Sequence, residues 1–182
     1  NNCQDSLDND CDIKIDGNEV ECMPSGLLLW LRFEGNAYDE KGVYNGTILG
    51  NTNCNSAGKN GFGCYFDGNG DYVSIANSNN LQNLGNTSDL TISLWLKMNN
   101  LANWRALVIK NSYSLGYGMM VPATGDVRIY SSGLSPSGTT DIDTSFVTTT
   151  WYHFAFTYNH TGIAGYKNGA FINSLARTGN IT

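Results

Sequence analysis

The segment "LTISLWLKM" (residues 90–98) alternates strictly. Leu90, Ile92, Leu94, Leu96 and Met98 fall on one parity, and Thr91, Ser93, Trp95 and Lys97 on the other. Successive strand side chains point to opposite faces, so this segment reads as a half-buried strand with an apolar inner face. Working outward from it, "ALVIK", "GYGMMV" and "DVRIY" are further short strand candidates. "TTTWYHFAFTY" (148–158) is aromatic and β-branched on both faces, as in a central strand. In "GIAGYKNGAFINS" the Asn168-Gly169 pair separates two strands and is the strongest two-residue hairpin signal in the chain. Upstream, "GCYFDGNGDYVSI" (63–75) reads as two short strands around a "DGNG" turn, and "LLLWLRF" (27–33) as a continuous apolar strand. No apolar spacing of three and four residues is sustained over an 11-residue window, so no long amphipathic helix is expected. About a dozen strands with glycine-rich turns predict an all-β chain whose half-buried sheets pack on each other as a sandwich or jelly roll.

The composition agrees. The chain has 182 residues, enough for one domain with a small appendage, and combines 41% hydrophobic with only 14% charged residues, which argues against disorder. Twenty-one glycines against three prolines mark a turn-rich fold. The net charge of −6 is concentrated: residues 1–25 hold seven acids and one base, whereas residues 26–182 hold nine of each. A body without basic excess has little with which to neutralise phosphates, so nucleic acid is not an expected partner. No apolar run approaches the roughly 20 residues that span a bilayer, so membrane insertion is not expected either. Pro24 and Gly26 interrupt any regular element and place a boundary there, giving a head at 1–24 and a body at 25–182. Of the five cysteines, Cys54 and Cys64 flank a glycine-rich loop and can close it, while Cys3, Cys11 and Cys22 leave the head an odd number. This usage favours an extracellular or cell-surface setting.

The segments "LLLWLRFEGNAYDEKGVYNG", "GKNGFGCYFDGNGDYVSI", "LTISLWLKM", "WYHFAFTY" and "GYKNGAFI" match, in order and spacing, a known pattern. The body resembles the LamG-like jelly roll of the concanavalin A-like lectin/glucanase superfamily. The resemblance implies a two-sheet antiparallel sandwich. It also implies a role in adhesion or recognition of a carbohydrate or glycoprotein, within a larger multidomain chain. Relatives of this kind continue past the "YKNG" hairpin into further strands, whereas this chain stops at "SLARTGNIT"; the resemblance thus predicts a truncated sheet with an open edge. Such domains also hold calcium at the rim through loop aspartates, and Asp39 and Asp71 match those positions. Each reads equally well as a turn residue, since Asp caps turns with its own side chain.

The head carries the stretch "DNDCDIKIDGNE" (8–19). Against the loop pattern D-x-[DN]-x-[DN]-G-x5-E, Asp8, Asp10, Asp12, Asp16 and Glu19 fall on ligand positions, and Lys14 supplies a backbone carbonyl. Calcium takes six to eight hard oxygens, and this spacing offers them from one short loop. Ile13 stands where the pattern wants Gly, and only seven residues precede Asp8, too few for the first helix of an EF-hand. The segment resembles instead thrombospondin type 3 loops and the Cys/Asp-rich metal-binding repeats of microbial surface proteins. A solvated acidic tail is the competing reading. Mixed thiols and carboxylates with no His nearby argue against zinc.

No catalytic constellation emerges. Glucanases of the resembling superfamily carry E-x-D-x-E on one strand, whereas the four glutamates here, at 19, 21, 34 and 40, form no such pattern. Asp141 and Asp143 alternate correctly but follow an apparent loop, "SPSGTT". His153, inside "WYHFAF", is expected to be a hydrogen-bonded core residue. The chain is therefore expected to be a binding module rather than an enzyme, with a structural spacer as the alternative. Sugars stack on aromatic faces. Trp95 and Trp151 are expected in the core, and Trp104, Tyr113 and Tyr117 are the candidate ligand contacts.

Overall fold

The computed structural model describes residues 23–101, 103–112, 115–143 and 146–181. The candidate calcium ligands Asp8, Asp10, Asp12, Lys14, Asp16 and Glu19 lie outside them, as does Tyr113. The chain divides into two compact units, Asn1–Ser78 and Asn79–Thr182.

In the first unit, β1 (Gly46–Leu49), β2 (Asn53–Ala57), β3 (Phe62–Tyr65) and β4 (Tyr72–Ile75) form two antiparallel ladders. β1 pairs with β4 from Gly46↔Ile75 to Leu49↔Tyr72. β2 pairs with β3, and the Cys54–Cys64 disulfide links the two strands as their spacing allowed. Two expectations fail here. The strands flanking "DGNG" do not pair with each other, because β3 is tied to β2 by ladder and disulfide while β4 is committed to β1. Residues 27–33 form no continuous strand; an isolated bridge, Leu31↔Asp39, is their only ladder contact among the described residues. Phe33 sits at φ 60°, which ends any extended run, and the Trp30 N–H donates to the Asp39 carboxylate instead of a neighbouring strand.

The second unit is a two-sheet antiparallel sandwich of jelly-roll type. Its strands are β5 (Leu90–Leu96), β6 (Arg105–Ser112), β7 (Leu115–Val121), β8 (Val127–Ser131), β9 (Leu134–Ser135), β10 (Gly138–Asp143), β11 (Tyr152–Tyr158), β12 (Gly162–Lys167), β13 (Ala170–Ala176) and β14 (Thr178–Gly179). A four-residue helical turn, Asn79–Gln82, precedes them. One sheet has the order β10-β8-β7-β6 and the other β13-β12-β11-β5, while β9 and β14 pair separately. Asp141 is on β10, and so are Gly138, Thr139 and Thr140, the end of the stretch read as a loop.

The alternation in 90–98 governs the second sheet. Leu90 is buried, Ile92, Leu94 and Leu96 pack against the core, and Thr91, Ser93, Trp95 and Lys97 are exposed. β11 lies in register on β5 from Tyr152↔Leu96 to Tyr158↔Leu90, which turns Phe154, Phe156 and Tyr158 inward. Opposite them, the first sheet contributes Met119, Val121, Val127, Ile129 and Ile142. β12 passes close under β10: a Cβ on Gly165 would collide with the Ile142 side chain. Glycine is required there by proximity rather than by backbone freedom. The Asn168-Gly169 turn forms as expected, with φ of 51° and 80°, the positive pair that a two-residue hairpin turn needs.

Candidate functional site

The outward face of the second sheet follows directly from the same parity. Because β5, β11 and β12 are in antiparallel register, the residues between the core positions line up in rows across the sheet. Trp95 stands opposite His153, Ser93 opposite Ala155 and then Tyr166, and Thr91 opposite Thr157 and then Ala164. β13 adds Phe171 opposite Tyr166 and Ser174 opposite Ala164. Aromatic rings thus alternate with small or hydroxyl-bearing side chains.

Trp95 is 44% exposed and its ring centroid is 5.3 Å from that of His153. The expectation that Trp95 is a core residue is therefore corrected. Its strand neighbours Ser93 and Lys97 are polar, and parity outweighs bulk. His153 is corrected with it: it is half-buried on the outer face, opposite Trp95, rather than enclosed in the core. Its row is fixed by the hairpin turn, since the His153 N–H donates to Asn168 Oδ1 at 2.9 Å and the Asn168 N–H donates to the His153 carbonyl at 2.7 Å. Trp151 is half-buried, with the Lys97 ammonium 5.0 Å from its ring centroid. Tyr166 and Phe171 meet edge to face at 6.0 Å. Where the small residues lie, the face sinks into a hollow of about 370 Å3, lined among others by Thr157, Ala164, Tyr166 and Ser174.

The contacts expected from the sequence are distributed differently. Trp104 is exposed, at 58%, just before β6 on the other sheet. The Arg128 guanidinium lies 5.7 Å from its ring centroid. That cation is already matched: Nε and Nη2 donate to Asp141 at 2.5 and 3.1 Å, and Asp126 lies at 3.8 Å. The hydrogen bond to Asp141 raises the Arg128 pKa further above its ordinary value. Tyr117 does not stand on an exposed surface, where a ligand contact was expected. It lies on β7, is 5% exposed and belongs to the core; its hydroxyl donates to the Leu81 carbonyl at 3.3 Å. Burial pushes that phenol up to about 12. The strand expected for "GYGMMV" forms, and Gly116 and Gly118 on either side of Tyr117 belong to it.

Asp39 and Asp71 are each spent on turns. Asp39 Oδ1 accepts from the N–H groups of Trp30 and Lys41, and Oδ2 from those of Val43 and Tyr44. Burial opposes its charge, but these four donors outweigh burial and lower its pKa. Asp71 accepts from the N–H groups of Asn51 and Asp67, at 2.5 and 2.7 Å. Among the described residues, no group of three or more His, Cys, Asp or Glu side chains is placed to hold a metal ion.

A laminin G family model of the concanavalin A-like lectin/glucanases superfamily matches residues 67–182. The chain belongs to this superfamily. Its concanavalin A-like sandwich is also found in a solved structure concerned with botulinum neurotoxin type C, a toxin that enters cells dependent upon interaction with two ganglioside molecules. The TM-score is 0.56 at 15% identity, over 82% of this chain and 38% of that one, a likeness of fold. No curated protein matches the chain. The concanavalin A-like region includes both four-stranded sheets and therefore the whole outward face described above.

Proposed function

We propose that this chain is a non-catalytic recognition module that binds a carbohydrate, free or on a glycoprotein, across the outer face of the β13-β12-β11-β5 sheet. The observation that carries the reading is the row arrangement itself. An exposed indole at Trp95 shares this face with a hollow bordered by Thr157, Tyr166 and Ser174, which lies two rows, about 13 Å, along β11 from the Trp95–His153 row. A pyranose has an apolar face and a hydroxyl rim, and this surface offers a partner for each. Superfamily membership supports the same reading, and the ganglioside interaction of the structurally similar toxin is compatible with it. The four strands of this face contain no Asp or Glu, whereas glycoside hydrolysis there would require two carboxylates. Trp95→Ala should lower affinity for a bound oligosaccharide by about tenfold to thirtyfold, the scale of a central aromatic anchor. Surface plasmon resonance against a panel of immobilised oligosaccharides measures this. Retention of none of them by the wild-type protein would overturn the reading.

The module is further read as extracellular, part of a larger chain, with a calcium-ordered N-terminal segment. Carboxylates of Asp8, Asp10, Asp12, Asp16 and Glu19 with the Lys14 carbonyl would hold the ion, whose charge offsets their mutual repulsion. Calcium is expected to slow amide exchange in residues 3–22 and to leave β11 unchanged. Unaltered exchange at 3–22 in millimolar calcium, without heat in a calorimetric titration, counts against it.

A further inference from the structure

We propose that Asn159 is an N-glycosylation acceptor, its side-chain amide carrying an oligosaccharide on the turn between β11 and β12. The proposal stands apart from the carbohydrate reading above, since it concerns a sugar attached to the chain and not one bound by it.

Four Asn-x-Ser/Thr triplets occur, at Asn45, Asn86, Asn159 and Asn180. The triplet alone decides little, because an asparagine-rich chain contains such triplets by chance. Their settings differ. Transfer forms a bond between Nδ2 and the anomeric carbon of an oligosaccharide carried on a lipid diphosphate. The anomeric C–O bond breaks, the lipid diphosphate leaves, and Nδ2 gives one proton to a base of the transferase. The folded product then has to hold the linked Nδ2 in water, with no other bond required of it.

Asn159 meets this condition. It is exposed, and its Oδ1 accepts from the Thr161 hydroxyl at 2.8 Å and from the N–H groups of Thr161 and Gly162 at 3.2 and 3.1 Å. The oxygen is spent inside the turn, so the planar amide directs Nδ2 away from it. Among the described residues Nδ2 donates to no acceptor. The hydroxyl that the triplet demands is thus the one already joined to the acceptor amide. His160, between them, sits at φ 64°, its ring centroid 5.2 Å from that of Tyr158 and its Nδ1 3.3 Å from the Gly179 carbonyl. Proline, fixed near −65°, could not stand there. Asn159 and Thr161 both line one end of the hollow, where the surface sinks and leaves room for a glycan stem.

The other triplets fall short. With its amide oriented to satisfy both ends, Asn180 donates from Nδ2 to the Asn86 and Gly179 carbonyls, each at 3.1 Å. Asn86 is half-buried and carries that contact. Asn45 is exposed, but its Oδ1 accepts from the Asp39 N–H at 3.0 Å and no hydrogen bond joins it to Thr47.

The test uses the full chain secreted from a eukaryotic cell that performs the transfer. An amidase that cleaves the glycan–asparagine bond in heavy-oxygen water turns each occupied Asn into labelled Asp, read by peptide mass spectrometry. Most molecules should carry the label at Asn159, and fewer at Asn45, Asn86 or Asn180. Asn159→Asp keeps an oxygen for the Thr161 hydroxyl and should remove one glycan from the intact mass. Thr161→Ser keeps the hydroxyl and should leave Asn159 labelled. No label at Asn159, or a smaller share there than at Asn45, overturns the proposal. Retention of no oligosaccharide by the protein would sink the recognition reading and leave this one standing.

Discussion

Phe154→Ala should lower the unfolding free energy of the Asn79–Thr182 unit by about 3–5 kcal/mol, the range for emptying a buried aromatic site. Phe154 is fully buried in the middle of β11. Its ring lies 6.1 Å from Phe146 and 5.9 Å from Tyr152, and its backbone is flanked by Leu94 on β5 and Lys167 on β12. Strands on both sides hold β11 in place, so little collapse into the vacated volume is available. Single domains are stable by about 5–15 kcal/mol, so the loss is a large share of the total. Urea unfolding followed by near-ultraviolet circular dichroism measures it. A loss under about 1 kcal/mol would contradict the placement of this ring at the centre of the sandwich.

The second large effect belongs to the other unit. Replacing Cys54 and Cys64 by Ala removes a cross-link between residues separated by 10 in sequence. Loop-closure entropy alone puts the cost at about 2.5–3 kcal/mol. Cys54 is also buried, so its sulfur is lost as a packing group. The register of β2 on β3 is interrupted between Asn53 and Ser56, beside this cysteine, leaving a short and irregular ladder to hold the strands without it. Amide exchange in Asn53–Ala57 and Phe62–Tyr65 should accelerate by about two orders of magnitude. Protection unchanged in both strands would show that the ladder holds without the bridge.

The two units differ in how readily their sequences disclose them. In residues 90–98 the apolar parity survives into the structure residue by residue, and the Asn168-Gly169 turn forms where its dipeptide predicts. Both signals are local, one set by the pleat and the other by φ. Residues 27–33 look as strand-like as 90–98 in composition, but their fate depends on Asp39, whose carboxylate gathers four backbone donors from both sides of the turn. A single side chain that replaces a ladder leaves no periodic trace. On the outer face, the size of Trp95 points to the interior, whereas Ser93 and Lys97 on its parity point outward. His153 follows from Trp95 only once the register of β11 on β5 is known, and register is not a local property. Tyr117 illustrates the reverse: as a candidate ligand contact it is expected to be exposed, while its place on β7 between β6 and β8 turns it into the core.

The hollow on the sheet face is open because its floor is made of residues such as Ala164 and Gly162 rather than of projecting loops. A surface of that kind grips a flexible chain from one side only and leaves the opposite side in water. If the proposed carbohydrate binds there, each encounter would therefore be brief. Strength would then come from number: several copies displayed on one body, each meeting a repeat of the same polymer, would gain about 10²–10⁴ in avidity without any new contact. For such a module the controlling variable is how densely it is arrayed.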